Sequence, residues 1–277
     1  MTGARPSLAL ARAERYLERH GVASARVSAE ALLADVLGTD RAGLYTRAEP
    51  LTPAETRAYG RSLCARCSGT PLQHVTGEQA FRRLRLAVRP GVFVPRPETE
   101  VLVDLALGEL ADVAVPVVVD VGTGSGAIAL AIADERPDAR VLATDRSSEA
   151  VALARENAAR LGLAVEVLEG DLLAPLPADL VGRVDLVACN PPYVRREEVA
   201  ALPADVLADP ATALVGDAAL LARIADAARA VLRPGGVLVL EIGEAQGEET
   251  RALLAERFRS VRIERDLVGR DRFAVAS

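Results

Sequence analysis

The stretch VPVVVDVGTGSGAIALAIA, residues 115–133, restricts the folds open to this chain more than any other segment. A run of valines, apolar toward both sides, enters Gly122, Gly124 and Gly126 and continues as an alanine-rich helical segment. A strand without a polar face belongs inside a sheet covered on both sides, which in practice means a parallel sheet flanked by helices. The alternation continues downstream. RVLATD (140–145) is followed by a helix capped by Ser147 or Ser148 and running through Leu161. AVEVLE (164–169) and RVDLVACN (183–190) give two further strands. A helix near 219–232, the strand GGVLVLEIG (235–243), a helix near 245–258 and two closing strands, VRIERD (261–266) and RFAVA (272–276), complete the set. The closing strands leave no room for a helix between them and are expected to pair antiparallel. The predicted class is α/β, with a seven-stranded, mostly parallel sheet.

The first third reads differently. A helix over 7–20 stops at Gly21, Ser28 is placed to cap a second helix ending at Gly38, and Thr52-Pro53-Ala54-Glu55 is a capping box with proline at the first helical position. Over 79–95 the period shortens. Phe81, Leu84, Leu86 and Val88, then Pro90-Gly91 and Val92-Phe93-Val94, predict a β-hairpin. Pro97 suits the first turn of a helix over 98–110. The expected domains are therefore a small helical N-terminal domain (1–78), a β-hairpin linker (79–96) and the α/β domain (97–277). Charge follows the same division: residues 1–96 hold 15 arginines against 8 acidic residues, whereas 97–277 hold 18 against 31. A basic first third joined to an acidic remainder implies different partners for the two. No apolar run reaches the length of a membrane span, and the charged N-terminus reads as a helix rather than a signal peptide. With three cysteines, this predicts a cytoplasmic protein without a membrane partner.

The glycine loop carries chemistry as well as fold. Glycines between a strand and a helix let a ligand approach the backbone, and the helix start offers free N–H groups. The spacing is G-x-G-x-G, not the G-x-G-x-x-G of a dinucleotide pyrophosphate site. Asp120, just before the loop, would repel phosphates and attract a cation. Asp145 ends the next strand, 19 residues after Gly126, where a carboxylate accepts both ribose hydroxyls. A nucleoside that lacks a pyrophosphate and carries positive charge fits: S-adenosylmethionine, leaving as S-adenosylhomocysteine, with NAD as the alternative. The cofactor residues predicted on this basis are Gly122, Thr123, Gly124, Ser125, Gly126 and Asp145, with Asp171 and Leu172, after the third strand, beside the adenine.

The fourth strand ends in Asn190-Pro191-Pro192-Tyr193. Two prolines stop a strand and stiffen the turn. In an open parallel sheet ligands bind at the carboxyl ends of the strands, near the switch in strand order. The Asn190 side-chain oxygen and the Pro191 carbonyl are then two fixed acceptors for the two hydrogens of a planar –NH₂ group, and Tyr193 can stack on that group. Aiming such a nitrogen at an electrophilic methyl supplies orientation and stabilises the developing charge. Asn190 also borders the cofactor. Adenine, cytosine, guanine and glutamine side-chain amides all present this nitrogen.

On GTPLQHVTGEQAF (69–81), GVFVPRPETEVLVDLAL (91–107), DVGTGSGAIALA (120–131) and NPPYV (190–194), the chain resembles the HemK/PrmC family of protein-(glutamine-N5) methyltransferases. ARENAARLGL, LRPGGVLVLEIGEAQ and DLVGRDRF support the likeness, which spans nearly the whole length. The resemblance implies a class I, Rossmann-like methyltransferase domain. Its substrate would be the glutamine of the Gly-Gly-Gln tip of class I peptide chain release factors, held by Asn190, Pro191, Pro192 and Tyr193. It further implies an N-terminal domain that helps grip the release factor, and a cover over the cofactor site formed by Arg96-Pro97-Glu98-Thr99-Glu100. One segment departs from the family pattern: DPATALVGDAALLARI (209–224) is shorter than the usual run and retains only Gly216-Asp217 of its Gly-Gly-x-Asp-Gly-Leu.

Two other readings compete: an amino-methyltransferase acting on DNA or RNA, and a non-catalytic cofactor-binding homologue. The acidic larger part and an aromatic content of 3% disfavour nucleic acid. Cys64-Ala65-Arg66-Cys67 lacks a second ligand pair, so no metal is expected. A monomer is expected.

Overall fold

The computed structural model describes residues 3–277. The chain divides into two compact units, Met1–Glu78 with Pro203–Ala208, and Gln79–Leu202 with Asp209–Ser277.

The smaller unit is helical: α1 (Pro6–Arg19), α2 (Ala25–Leu37), α3 (Arg41–Thr46), α4 (Pro53–Cys67) and α5 (Leu72–Thr76). Ala9, Leu10, Ala13 and Leu17 of α1 recur at helical spacing and are buried against Leu32, Leu33, Leu44, Tyr59 and Leu63. Each fully buried leucine contributes about 1.5–3 kcal/mol of transfer free energy. The buried Tyr59 phenol is satisfied by the Ala29 carbonyl at 2.9 Å. Both arms of the Thr52 capping box form: Glu55 N–H donates to Thr52 Oγ1 (3.2 Å) and Thr52 N–H to Glu55 Oε2 (2.7 Å). Ser28 is not a cap. The helix starts a turn earlier, at Ala25, behind Ser24, because the apolar stripe already begins with Ala25 and continues through Ala29 and Leu32. Ser28 lies buried inside the helix.

The larger unit opens with β1 (Glu78–Phe81) and β2 (Leu84–Ala87), a two-stranded sheet. The hairpin turns at Arg82-Arg83, not at Pro90-Gly91 as the sequence suggested. Arg82 adopts a left-handed φ of 51°, held by its N–H to Glu100 Oε1 at 3.0 Å and by ion pairs with Glu135 and Asp104. Three ion-pairing and hydrogen-bonding partners settle a turn there that no glycine or asparagine advertises. Val92 and Val94 are buried but outside any strand. After α6 (Thr99–Glu109), the sheet elements alternate with helices: β3 (Val117–Val121), α7 (Ala127–Glu135), β4 (Arg140–Asp145), α8 (Ser148–Leu161), β5 (Val165–Glu169), β6 (Val184–Cys189). The chain then passes through the short α9 (Ala204–Leu207) and α10 (Ala211–Leu214) to α11 (Ala218–Val231), β7 (Leu232–Glu241), α12 (Gly247–Ala255), β8 (Val261–Arg265) and β9 (Asp271–Ala276).

The strand order is β5-β4-β3-β6-β7-β9-β8. The first five run parallel, and β9 pairs antiparallel with both β7 and β8. The order reverses between β3 and β6, the switch point. Side-chain alternation divides the core in two. Val118, Ala143, Leu186, Ala188, Val239 and Phe273 pack with α6, α7 and α8. Val119, Leu142, Val187, Leu238, Leu240 and Ala274 pack with α11 and α12. Among the described residues no helix is long and apolar enough to cross a membrane.

Candidate functional site

The period of two along a strand fixes which side chains meet. Val118, Ala143, Ala188 and Val239 face α6–α8, so the residues two further on, Asp120, Asp145, Asn190 and Glu241, continue on that face at the carboxyl ends of β3, β4, β6 and β7. Four polar side chains thus line up on an otherwise apolar face, on both sides of the switch point.

The glycine loop leaves β3 with left-handed φ at Gly122 (70°), Gly124 (57°) and Gly126 (88°), a region closed to most side chains. A Cβ on Gly126 would also lie 2.8 Å from Leu130 Cδ1. Gly122 and Thr123 N–H groups bond to the Thr144 carbonyl at 2.8 and 3.0 Å, which locks the loop to β4. Asp145 is clamped by backbone donors, Gly124 N–H to Oδ2 and Ser147 N–H to Oδ1, each at 2.9 Å. Each carboxylate oxygen keeps a lone pair for a further hydroxyl, as a ribose diol requires. Asp120 is fully buried. Its Oδ2 accepts from Thr123 Oγ1 (2.6 Å) and Ala129 N–H (3.2 Å), whereas Oδ1 has no partner. Burial pushes this carboxyl up to about 7, against the pull of Thr123 and Ala129 and with Asp145 adding to the rise. An unsatisfied buried carboxylate oxygen is a site for a cation. The loop, the diol acceptor and this oxygen fit S-adenosylmethionine.

The loop is supported from behind by Asn157 of α8. This buried carboxamide donates to the Ser125 and Ala87 carbonyls (2.9 and 3.0 Å) and accepts from Ala87 N–H (2.8 Å), tying β2 to the glycine loop. The 91–97 segment reaches the same loop: Val92 packs with Ala150 and Leu153 and stands 4.0 Å from where a Gly124 Cβ would be. Asp209 fastens the segment through Val94 N–H (3.1 Å) and an ion pair with Arg96, whose guanidinium lies 5.1 Å from the Phe93 ring centroid.

On the other side of the switch point, Asn190 Nδ2 donates to Thr99 Oγ1 at 3.0 Å, and Thr99 donates to Glu241 Oε2 at 2.8 Å. Glu241 Oε1 accepts the Tyr193 phenol at 3.1 Å. Arg272 donates to Tyr193 Oη at 2.7 Å and lies 5.0 Å from its ring centroid. Burial raises both the Glu241 carboxyl and the Tyr193 phenol above their ordinary values, so Tyr193 is a neutral phenol at physiological pH. Gln246 grips the turn by donating to the Tyr193 carbonyl (2.9 Å) while accepting from Gly243 N–H (2.9 Å). The 209–217 segment braces it from the far side. Val194 N–H bonds to the Leu214 carbonyl (2.9 Å) and Gly216 N–H to the Val194 carbonyl (3.1 Å), and a Cβ on Gly216 would fall 1.7 Å from the Pro192 oxygen.

The structure therefore brings Gly122–Gly126 and Asp145 together on one side of the switch point and places Asn190–Tyr193 on the other. Asp171 is exposed and its carboxylate is engaged by Arg223 of α11 at 2.5 Å, while Leu172 is half-buried with a left-handed φ of 49°. Sequence reasoning gave no role to Glu241, Arg272, Gln246 or Asn157, and placed Thr99 only in the cover implied over the cofactor site. The available signal was an acidic residue closing the apolar run VLVLE, the same signature that singles out Asp145.

Comparison with known proteins gives the family and the fold. Residues 9–77 match the family described as PrmC N-terminal domain, and 83–221 that described as methyltransferase small domain. A release factor glutamine methyltransferase of Moorella thermoacetica is 41% identical over 97% of this chain and 96% of its own length. Its counterpart from Deinococcus radiodurans is 43% identical over 96% of each chain. Among solved structures, the hMettl16 catalytic domain in complex with MAT2A 3'UTR hairpin 1 superposes with a TM-score of 0.57 at 15% identity, covering 78% of this chain and 80% of that one. A T. thermophilus 16S rRNA N2 methyltransferase in complex with AdoMet and guanosine gives 0.55 at 22% identity, covering 72% and 49%. These two likenesses concern the fold.

Proposed function

We infer the reaction from the premise that this chain belongs to the release factor glutamine methyltransferases. It is an S-adenosylmethionine-dependent enzyme that methylates the side-chain amide nitrogen of the glutamine in the Gly-Gly-Gln motif of class I peptide chain release factors. The observation that carries the assignment of residues is the placement of Asn190-Pro191-Pro192-Tyr193 across the switch point from a glycine loop backed by an unsatisfied buried carboxylate oxygen.

S-adenosylmethionine, when bound, supplies a methyl group activated on a positively charged sulfur. Gly122, Thr123, Gly124, Ser125 and Gly126 would hold its amino-acid end, Asp120 would meet its positive charge, and Asp145 would accept from its ribose. Asp171 and Leu172 would border the adenine. Asn190 Oδ1 and the Pro191 carbonyl each accept one N–H of the substrate amide. The amide nitrogen is a poor nucleophile because its lone pair is delocalised, and two acceptors that fix its plane raise the fraction of time the lone pair points along the attack line. The same two oxygens stabilise the positive charge that grows on nitrogen as the bond to carbon forms. Pro192 stiffens the turn and Tyr193 offers a flat face to the amide. No side chain is placed as a strong base. Glu241 is occupied by Thr99 and Tyr193, so the proton departs to solvent after transfer.

The acidic remainder of the chain, 97–277, supports a protein substrate over a polyphosphate backbone, and a substrate of the translation apparatus places the enzyme in the cytoplasm. We read it as a monomer, checked by light scattering. The decisive experiment is peptide mass spectrometry of an unmodified class I release factor incubated with the protein and S-adenosylmethionine. One methyl on the Gly-Gly-Gln glutamine, absent with Asn190→Ala, is the expected result. Methylation of added RNA or DNA in its place would overturn it.

A further inference from the structure

Glu241 has no solvent exposure. A buried carboxylate is expensive to desolvate, yet this one closes β7 where an apolar residue would continue the core. Its contacts lead back to the substrate-binding turn. Oε2 takes the Thr99 hydroxyl proton at 2.8 Å, and Thr99 Oγ1 takes a hydrogen from Asn190 Nδ2 at 3.0 Å. Oε1 accepts a hydrogen bond from the Tyr193 phenol at 3.1 Å, with Arg272 Nη2 3.5 Å away.

We propose that Glu241 and Thr99 are positioning residues that decide which end of the Asn190 carboxamide faces the substrate. The inference rests on the proposed reaction, because it concerns the acceptor of that reaction. The argument is a count of protons. A carboxylate has none to give, and a hydroxyl has one. Thr99 gives its proton to Glu241, so toward Asn190 its oxygen can only accept. Asn190 must then present Nδ2 to Thr99, which turns Oδ1 away from Thr99 and into the site as an acceptor. A carboxamide is nearly symmetric in shape, and without this direction imposed on it the two flips are close in energy. The reversed flip would set N–H groups of Asn190 against the N–H groups of the substrate amide. Charge on Glu241 is thus relayed over two hydrogen bonds as a polarity of Asn190, and Oε1 fixes the Tyr193 ring from the same carboxylate.

The test uses the full chain, uniformly ¹⁵N-labelled, with the Asn190 side-chain NH₂ signals identified by their absence in Asn190→Ala. Thr99→Val keeps shape and removes the hydroxyl; Glu241→Gln keeps shape and lets the partner donate. Both are expected to shift the Asn190 NH₂ signals and speed their exchange with solvent. Both should lower kcat on release factor about tenfold to a hundredfold, with a smaller change in KM and an unchanged Kd for S-adenosylmethionine. Thr99→Ser, which restores a hydroxyl, should recover both the spectrum and kcat. Should Glu241→Gln fail to fold, Thr99→Val against Thr99→Ser carries the test alone. Thr99→Val with the wild-type spectrum and kcat would overturn the proposal. Shifted Asn190 signals in a protein whose wild type leaves release factor unmethylated would uphold the positioning role and sink the substrate assignment instead.

Discussion

If Asp120 meets the cofactor's charge as proposed, its protonation acts on stability and on cofactor binding with opposite signs. A free aspartate titrates near pH 4, whereas burial holds this one at about 7 in the folded chain. Between those values the native state binds a proton that the unfolded chain has released. Its contribution to the stability of the unliganded protein is therefore complete below about pH 4 and is lost as the pH rises through 7. A cation at Oδ1 favours the ionised carboxylate. The affinity for S-adenosylmethionine should accordingly rise with pH up to about 7 and then level off, changing by about tenfold per pH unit on the acid side. Calorimetric titration from about pH 5.5 to 8, with Asp120→Asn for comparison, reads this directly. The variant should bind more weakly with a flat profile, and a wild type equally flat would show that the carboxyl does not meet the cofactor's charge. Asp145 and Asn190 could be picked out in the sequence because each closes an apolar strand at a position where a polar residue has no packing reason to be, and Asp120 because it stands just before the glycine loop. Glu241 closes its strand in the same way, but its significance depends on β7 lying beside β6 and on α6 starting at Thr99 over that edge. Neither adjacency is a local property of the chain.

At the level of elements, the 209–217 segment braces the Asn190–Tyr193 turn although its sequence departs from the family pattern. Its retained glycine is the reason. Gly216 packs so closely on Pro192 that a methyl group would overlap the carbonyl oxygen at 1.7 Å, and the neighbouring Val194–Val215 bridge ties the segment to the chain just after the turn. Gly216→Ala must push the turn away from β6. Because only backbone lies in the way, the displacement cannot be absorbed by a side-chain rotation. The expected outcome is a loss of about 10²-fold in kcat/KM for release factor, with cofactor affinity within about twofold of wild type, since the glycine loop is braced separately by Asn157. Parallel loss of cofactor binding would mean that the turn and the loop are not independent. Strand–helix alternation, the capping box at Thr52 and the antiparallel final pair were all readable because each is set by a few neighbouring residues. The hairpin turn at Arg82-Arg83 and the start of α2 were not. The first is held by Glu100, Asp104 and Glu135, which lie far along the chain, and the second is set by burial of Ala25 rather than by the local capping preference of Ser28.

For the molecule as a whole, charge separates two kinds of binding. Of the residues proposed for the cofactor, Asp120 is buried and Asp145 is clamped by backbone donors, and interactions among groups withdrawn from solvent are little affected by salt. The helical unit instead exposes Arg12, Arg15 and Arg19 along one side of α1, beside a groove that Tyr16, Leu63 and Cys64 help to line. Three arginines there outnumber the one exposed acid, Glu18, and such an excess of exposed charge acts on a partner over about 10 Å at moderate ionic strength and chiefly sets the rate of encounter. A protein substrate gripped by this unit should therefore respond to salt while the cofactor does not. Raising sodium chloride from about 50 to about 500 mM should increase KM for release factor several-fold and leave the Kd for S-adenosylmethionine unchanged. Replacing Arg12, Arg15 and Arg19 together by glutamate should reproduce the KM effect at low salt and flatten the salt dependence, with kcat at saturation preserved. The stripe lies on exposed helix, so the triple variant should fold, which near-wild-type cofactor binding would verify. A KM indifferent both to salt and to the triple substitution would leave recognition of the release factor to the acidic unit alone. Recognition would then have to come from the turn at Asn190 and the segments bracing it.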